Sequence, residues 1–328
     1  MLDLLGYAAF FGSTALTYAI ICLGLNLQWG QTGLFNVGIA GFVAIGAYTS
    51  ALLTTPPSAA HIGGFALPIV VGLIGAMIAA GIASLLIGAL TLRLRTDYLA
   101  ITTFGVAVVV QLICLNAQNL TGGPFGIGFI PRPFAGLADQ PVHFASANLL
   151  LTMIITAALF VALERLALSP WGRVLRAIRE DETAAAALGK NAVAYRLQSF
   201  ALGGAIMGLG GAIQAHAIGF IAPDNYLPAL TFQVWTMLII GGSGNNVGAI
   251  LGAFLIWALW SGTGVAITSL FPPEQQARAA ALQVVAIGTI LAAILVLRPR
   301  GLLGGRMAVS RHIDALAAEP AITTQTQM

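Results

Sequence analysis

The sequence predicts an all-α, polytopic membrane helix bundle of about nine transmembrane helices, eight to ten in all. Three observations predict it. Of 328 residues, 58% are hydrophobic and only 8% charged, against roughly 25% charged in ordinary soluble domains. A soluble fold has too little polar surface to cover such a core. The apolar residues fall in runs near the 20-residue length that crosses about 30 Å of hydrocarbon as a helix. The basic residues, finally, gather between those runs and leave one side of the array nearly free of them.

The runs span residues 7–25, 33–53, 66–90, 98–115, 148–163, 197–218, 226–242, 247–264 and 279–297. Hydrocarbon offers no partner to a backbone N–H or C=O, so each run is read as a helix. Asp3, with no Lys or Arg before the first run, does not fit the basic start of a cleavable signal peptide, and the first helix is expected to be kept. The second run carries Gly33, Gly38, Gly41 and Gly46 beside Asn36. It reads either as a tightly packed helix or as one partly unwound around a cavity. In the third run Gly72, Ala76, Ala80, Ser84 and Gly88 recur every four residues, a small-residue stripe for close packing. Cys22 and Cys114 both fall inside apolar runs and read as packing residues, with no thiolate metal site.

Twelve of the 14 Lys and Arg lie in three places: Arg93 and Arg95; Arg165, Arg173, Arg176, Arg179, Lys190 and Arg196; and Arg298, Arg300, Arg306 and Arg311. The positive-inside rule makes these cytoplasmic. Two helices separate the first site from the second and four the second from the third, so the parity agrees, with the N-terminus outside and the C-terminus inside. The net charge of +3 is explained by this orientation and forms no nucleic-acid patch. Residues 1–304 make the membrane domain, and 305–328 a cytoplasmic tail.

Two stretches lie outside the runs. The external loop 116–147 alternates Gly122, Gly123, Gly126 and Gly128 with Pro124, Pro131 and Pro133, too irregular for a helix or hairpin and long for a plain connection. The cytoplasmic segment 164–196 is expected to hold a short helix. Ser169 and Pro170 suit its start, and Gly189 with Lys190 its stop. It mixes Arg176 and Arg179 with Glu180, Asp181 and Glu182 and presents small residues from Ala184 to Ala187, a surface suited to another protein's groove and unlike a purely basic lipid-binding helix.

The runs contain almost no carboxylates, which an ion-coupled transporter would use. Their polar residues, Asn36, Gln111, Gln198, Gln214, His216 and Gln233, are expected to form interhelical hydrogen bonds, with His216 as a proton carrier the minor alternative. No H-E-x-x-H, paired aspartates or G-x-S-x-G signals an intramembrane enzyme. No G-x-x-x-x-G-K-[ST] signals ATP binding by this chain.

In chain order, GLNLQWGQTGLFNVGIAGFVAIGAYTSALL, LRLRTDYLAITTFG, NLTGGPFGI, SPWGRVLRAIREDETAAAALGKN, IIGGSGNNVGAILGA and RPRGLLG resemble the branched-chain amino-acid ABC importer permeases, in particular the LivM-like member of the pair. The resemblance runs from Gly24 to Gly304. It implies a non-catalytic subunit of the bacterial inner membrane for branched-chain or related amino acids. The alternatives are urea or short amides, or an ion-coupled secondary transporter. The partners implied are a second, LivH-like permease, two ATPase subunits that carry ATP and Mg, and an extracytoplasmic binding protein. No cofactor is implied on this chain. On this pattern Arg173, Arg176, Arg179, Glu180, Asp181, Glu182, Ala184 and Gly189 match the ATPase-coupling motif. Gly33, Asn36, Gly38, Gly41 and Tyr48, with Thr121, Gly122 and Gly123, match stretches near the translocation path, and Gly241, Gly242 and Gly244 a cytoplasmic turn. Ile39 and the Asn245–Asn246 pair depart from the pattern.

Overall fold

The computed structural model describes residues 2–58, 62–92, 96–270 and 301–304, with single positions between 272 and 293. The helices in chain order are α1 (Leu2–Leu25), continued by a π-helical turn Asn26–Gln31, then α2 (Ile39–Thr54), α3 (Ile69–Thr91), α4 (Thr96–Asn116), the single turn α5 (Gln118–Thr121), α6 (Pro141–Leu168), α7 (Pro170–Glu180), α8 (Glu182–Ala187), α9 (Ala192–Ile218), α10 (Pro228–Gly241) and α11 (Asn246–Leu270).

Eight of the nine expected spans are helices. Six of them, among the described residues, are long and apolar enough to cross a membrane. The other two are the shorter apolar helices α2 and α10. The helices α2 and α10, with 16 and 14 residues, rise about 24 and 21 Å, short of about 30 Å. Each is preceded by irregular backbone, at 32–38 and at 219–227, so the apolar run continues where the helix does not. Most of the expected span 279–297, together with Arg93, Arg95, Arg278, Arg298, Arg300, Arg306, Arg311 and the tail 305–328, lies outside the described residues.

The loop expected at 116–147 is shorter than read, because α6 begins at Pro141, where proline suits a first helical turn. It is also more ordered, with α5, two 3₁₀ turns and an antiparallel bridge from Ile127 to Ile221. The segment 164–196 likewise contracts to 169–191, between the ends of α6 and α9.

Helix α9 is the packing centre, against α1, α2 and α3. Glycine makes that possible: a Cβ on Gly46 of α2 would strike the backbone of Gly208, and one on Gly208 would strike Ala80 of α3. The Gly72–Gly88 stripe is buried throughout, as its period implied. Without a hydrophobic drive between helices in lipid, such backbone contact supplies the dispersion attraction that holds a bundle. His216 joins three elements, its Nδ1–H donating to Pro131 O at 2.7 Å and its Nε2 accepting from Ser50 Oγ at 2.8 Å. Both ring nitrogens thus have structural partners in one neutral tautomer.

Two alanine substitutions separate packing from helix propensity. Gly46→Ala should destabilise by about 1–3 kcal/mol, the usual cost of overpacking, and lower the thermal unfolding midpoint in detergent. Gly105→Ala, whose Cβ would meet nothing within 4 Å, should leave the midpoint unchanged or raised.

Candidate functional site

At the basic end, α6 stops where Ser169 turns extended and its Oγ accepts from Gly172 N. Pro170 then opens α7 at a position where a missing N–H costs nothing. Asp181 ends α7 and caps α8, accepting from Ala184 N at 2.9 Å. The single expected helix is therefore two, broken at an aspartate. Gly189 closes α8 with φ +75, while Gly189 N donates to Ala186 O and Lys190 N to Ala185 O, the paired bonds of a glycine-terminated helix. Ile178, Ala185 and Ala192, with Val174 and Tyr195, form a small core that clamps both helices to the start of α9.

The three consecutive acids do three different things. Asp181 is a helix cap, and Glu182 pairs with Arg196 at 2.7 Å. Glu180 remains 74% exposed and only 4.0 Å from Arg179. Arg173 donates to Leu168 O, and Arg176 lies half-buried beside it. Ala184, Ala186, Ala187 and Leu188 are exposed, Leu188 at 79%, an apolar surface on a segment outside the spans.

Arg179 reaches into the bundle. Its guanidinium donates to Gly30 O, and its stem lies against Gly33, where a Cβ would sit 3.0 Å from Arg179 Cγ at φ +76. A residue assigned to coupling thus touches one assigned to the path.

Gly30 belongs to the π-helical turn, and around that turn lies a buried amide network. Asn26 donates to Asn246 Oδ1 at 2.8 Å and accepts from Gly244 N at 2.7 Å. Asn246 in turn donates to Glu164 at 3.0 Å. Gln28 donates to Phe200 O at 2.8 Å and accepts from Asn36 at 2.7 Å. Asn36 also accepts from Gly38 N through its side chain and from Trp235 Nε1 through its carbonyl. Thr32 and Ser199 share a 2.7 Å bond. The turn therefore touches α7, α9, α10, the connection 242–245 and the start of α11, and Asn246 links it on to α6. Trp29, Phe35 and Trp235 pack over it, with ring centroids 4.7–5.4 Å apart. Gly241 ends α10, and Gly242 and Gly244 lie in that connection, with φ +108 at Gly242 and +85 at Gly244.

Sequence reasoning missed Asn26, Gln28, Gln31 and Thr32, because the first span was closed at residue 25. The signal was present as amides at 26, 28 and 31 directly after an apolar run.

The remaining path candidates are spread along α2 and not gathered at one point. Asn36 and Gly38 sit at the break, and Gly41 lies against the backbone of Ala107 in α4. Tyr48 meets Tyr226 near the loop end, ring centroids 5.9 Å apart, and among the described residues neither buried hydroxyl has a hydrogen-bond partner. Thr121 Oγ1 bonds Cys114 O and Ala117 O, and Gly122 ends α5 in the left-handed region. Those two residues close the top of α4.

Residues 7–296 match the family model described as "Branched-chain amino acid transport system / permease component". The chain is 34% identical to the high-affinity branched-chain amino acid permease protein LivM of Escherichia coli K12, over 73% of this chain and 59% of that one. It is 24% identical to the E. coli permease protein LivH, over 88% and 91%, and 29% identical to the guanosine ABC transporter permease protein NupQ of Bacillus subtilis, over 74% and 76%. The match thus spans under two thirds of the E. coli LivM. No solved structure matches. With its apolar spans, its glycine-packed bundle and a family match over most of its length, the chain is a polytopic membrane protein belonging to the branched-chain amino acid transport system permease family.

Proposed function

We propose that this chain is a translocating subunit of an ATP-driven importer for branched-chain or related amino acids. It works beside a second permease, with two ATPase subunits inside and an extracytoplasmic binding protein outside. The observation that carries this is the bond from Arg179 to Gly30 O, which ties a charged helical pair outside the spans to a break within them. The chain has no P-loop, so hydrolysis belongs to a partner and must arrive as a mechanical bias on a two-state element. The segment α7–α8 suits that input. Its exposed Glu180, Ala184, Ala187 and Leu188 face away from the bundle, while its buried side holds Arg179 against the turn. The basic cluster from Arg165 to Arg196 then lies in the cytoplasm with the 242–245 connection, and the loop 117–140 outside.

Alternating access follows. ATP binding by the partners shifts α7, Arg179 moves with it, and the turn Asn26–Gln31 and the start of α2 rearrange. The column from Gly33 to Tyr48 and Tyr226 runs from that turn to the outer end. The named specificities of LivM and NupQ differ, and an amide such as urea remains the second reading of the cargo.

Affinity purification in mild detergent tests the class: a second permease and two P-loop ATPases should co-purify, whereas a lone chain active on an ion gradient overturns the proposal. Coupling is tested by Arg179→Ala and, separately, Glu180→Lys. Each should lower transport per ATP hydrolysed by about tenfold, within the usual range of coupling free energies, with unchanged expression and elution volume. Asp181 and Glu182 are left intact because α8 depends on them. Tyr226→Phe removes a hydroxyl whose burial without a partner costs about 1–3 kcal/mol. Its thermal midpoint should equal or exceed that of the parent while uptake falls, a combination that a purely structural hydroxyl does not produce.

A further inference from the structure

Glu164 has no part in the cycle proposed above, yet it ends a chain of three hydrogen bonds. It lies near the end of α6, just before the break at Ser169. Among the described residues its carboxylate pairs with no arginine. It accepts instead from Asn246 Nδ2 at 3.0 Å, at the start of α11. Asn246 Oδ1 accepts from Asn26 Nδ2 at 2.8 Å, and Asn26 Oδ1 from Gly244 N at 2.7 Å. Asn26 and Asn246 are both buried, so a misdirected amide there has little water to turn to.

The chain has a direction, and its two ends set it. A carboxylate accepts and does not donate, whereas a backbone N–H donates and does not accept. Asn246 must therefore present its NH2 to Glu164, which turns its oxygen to Asn26. Asn26 must in turn present its NH2 to Asn246, which leaves its oxygen for Gly244. The two ends of an amide are nearly alike in shape, and the surrounding network decides which way it points. Reversing either amide would set oxygen against oxygen on one side and N–H against N–H on the other, with the buried groups left unpaired.

The far end of the chain meets the residue that Arg179 holds. Arg179 donates to Gly30 O, and a Cβ on Gly30 would strike Asn26 Oδ1 and Gly244 N. The last bond of the chain therefore passes directly over Gly30.

We propose that Glu164 is a positioning residue of the transport cycle: through Asn246 it fixes the direction of the Asn26 amide and so keeps the connection 242–245 on the π-helical turn. The inference rests on the reading of 169–191 as the segment that an ATPase moves. Glu164 precedes that segment and Arg179 lies within it, so the turn is held from two sides, by a cation directly and by an anion through two amides. A displacement that carries the end of α6 with α7 frees Gly30 O and Gly244 N together. Either grip alone would leave the turn held by the other.

The test reverses the direction of the chain at one end and then at the other. The full chain, with whatever subunits accompany it, is placed in lipid nanodiscs, and backbone hydrogen exchange on peptides covering 242–247 is read beside transport per ATP hydrolysed. Glu164→Lys replaces the acceptor with a donor. Exchange should quicken at least fivefold, and transport per ATP should fall at least fivefold. Glu164→Gln keeps an acceptor oxygen, and its exchange should stay within twofold of the parent. Adding Asn26→Asp to Glu164→Lys should bring both readouts back to within twofold, because Asn246 can then turn its oxygen to the ammonium and its NH2 to the carboxylate at 26, which still holds Gly244 N. Glu164 and Asn26 each bond Asn246 and not one another, so the rescue travels through that amide, and a further Asn246→Leu should abolish it. Size-exclusion profiles matching the parent show that each variant is folded. Exchange unchanged by Glu164→Lys overturns the grip, and absence of rescue by Asn26→Asp overturns the directed chain. Rescue that survives Asn246→Leu reveals direct charge attraction and overturns it too. Faster exchange with transport per ATP unchanged overturns the role in the cycle. If no ATPase accompanies the chain, the transport reading fails, and the exchange pattern alone decides the hydrogen-bond chain.

Discussion

The structure depends on one constraint: backbone and amide groups inside hydrocarbon must find their partners within the protein. A continuous helix meets it alone, whereas a broken one does not. This chain breaks between Asn26 and Gly38, and the side chains there answer the constraint. Asn36 holds Gly38 N, Gln28 holds Asn36, and Asn26 holds Gly244 N. Each amide that satisfies a break also draws another element toward it. The network is consequently both a repair of the backbone and the joint at which α6, α7, α9 and α10 meet.

The glycine packing around α9 serves the same joint. Helices held apart by large side chains could not bring Ser199 and Phe200 within hydrogen-bond reach of Thr32 and Gln28. Close approach at Gly24 and Gly203, whose Cβ positions each meet the other helix's backbone, sets that distance. Packing and polar satisfaction are coupled here, because a wider interface would leave buried amides without partners, at a cost larger than the lost dispersion contacts.

Much of the fold was legible because hydrocarbon makes helices nearly obligatory. Eight apolar runs became helices, and the Ser169–Pro170 start, the Gly189 stop and the small-residue stripe of α3 all took the predicted form. What was illegible turned on local polar chemistry. Asp181 sits among three acids that looked like one charged face, but an aspartate with a free N–H three residues on competes with helix continuation and starts a new one. The π-helical turn was missed because hydropathy stops counting where polar residues begin, although in this chain the membrane-depth structure continues through Gln31. Tyr226 pairs with Tyr48 across 178 positions of sequence, a distance no periodicity encodes. Gly33 and Arg179 came from separate motifs, and only the fold shows them in contact.

That contact explains why an arginine, and why there. Helix α1 and its π-turn end at Gln31, and the final carbonyls of a helix lack intrahelical partners and carry the negative end of its dipole. Arg179 donates to one of them, at Gly30, so a residue of α7 serves as the C-terminal cap of a helix that otherwise belongs to the membrane. A cation in such a place contributes about 1 kcal/mol or less, small beside the packing of the bundle. Its smallness suits a switch. An interaction worth much more would lock the two elements together, and one with no partner inside would pass nothing on. Lysine is a poorer substitute, because a guanidinium keeps further donors in a fixed plane for Glu180 while one N–H stays on the carbonyl. A cap supplied from outside the spans, on a turn that is itself an uncommon alternative to α-helix, joins α7 to the end of α1 through one weak contact.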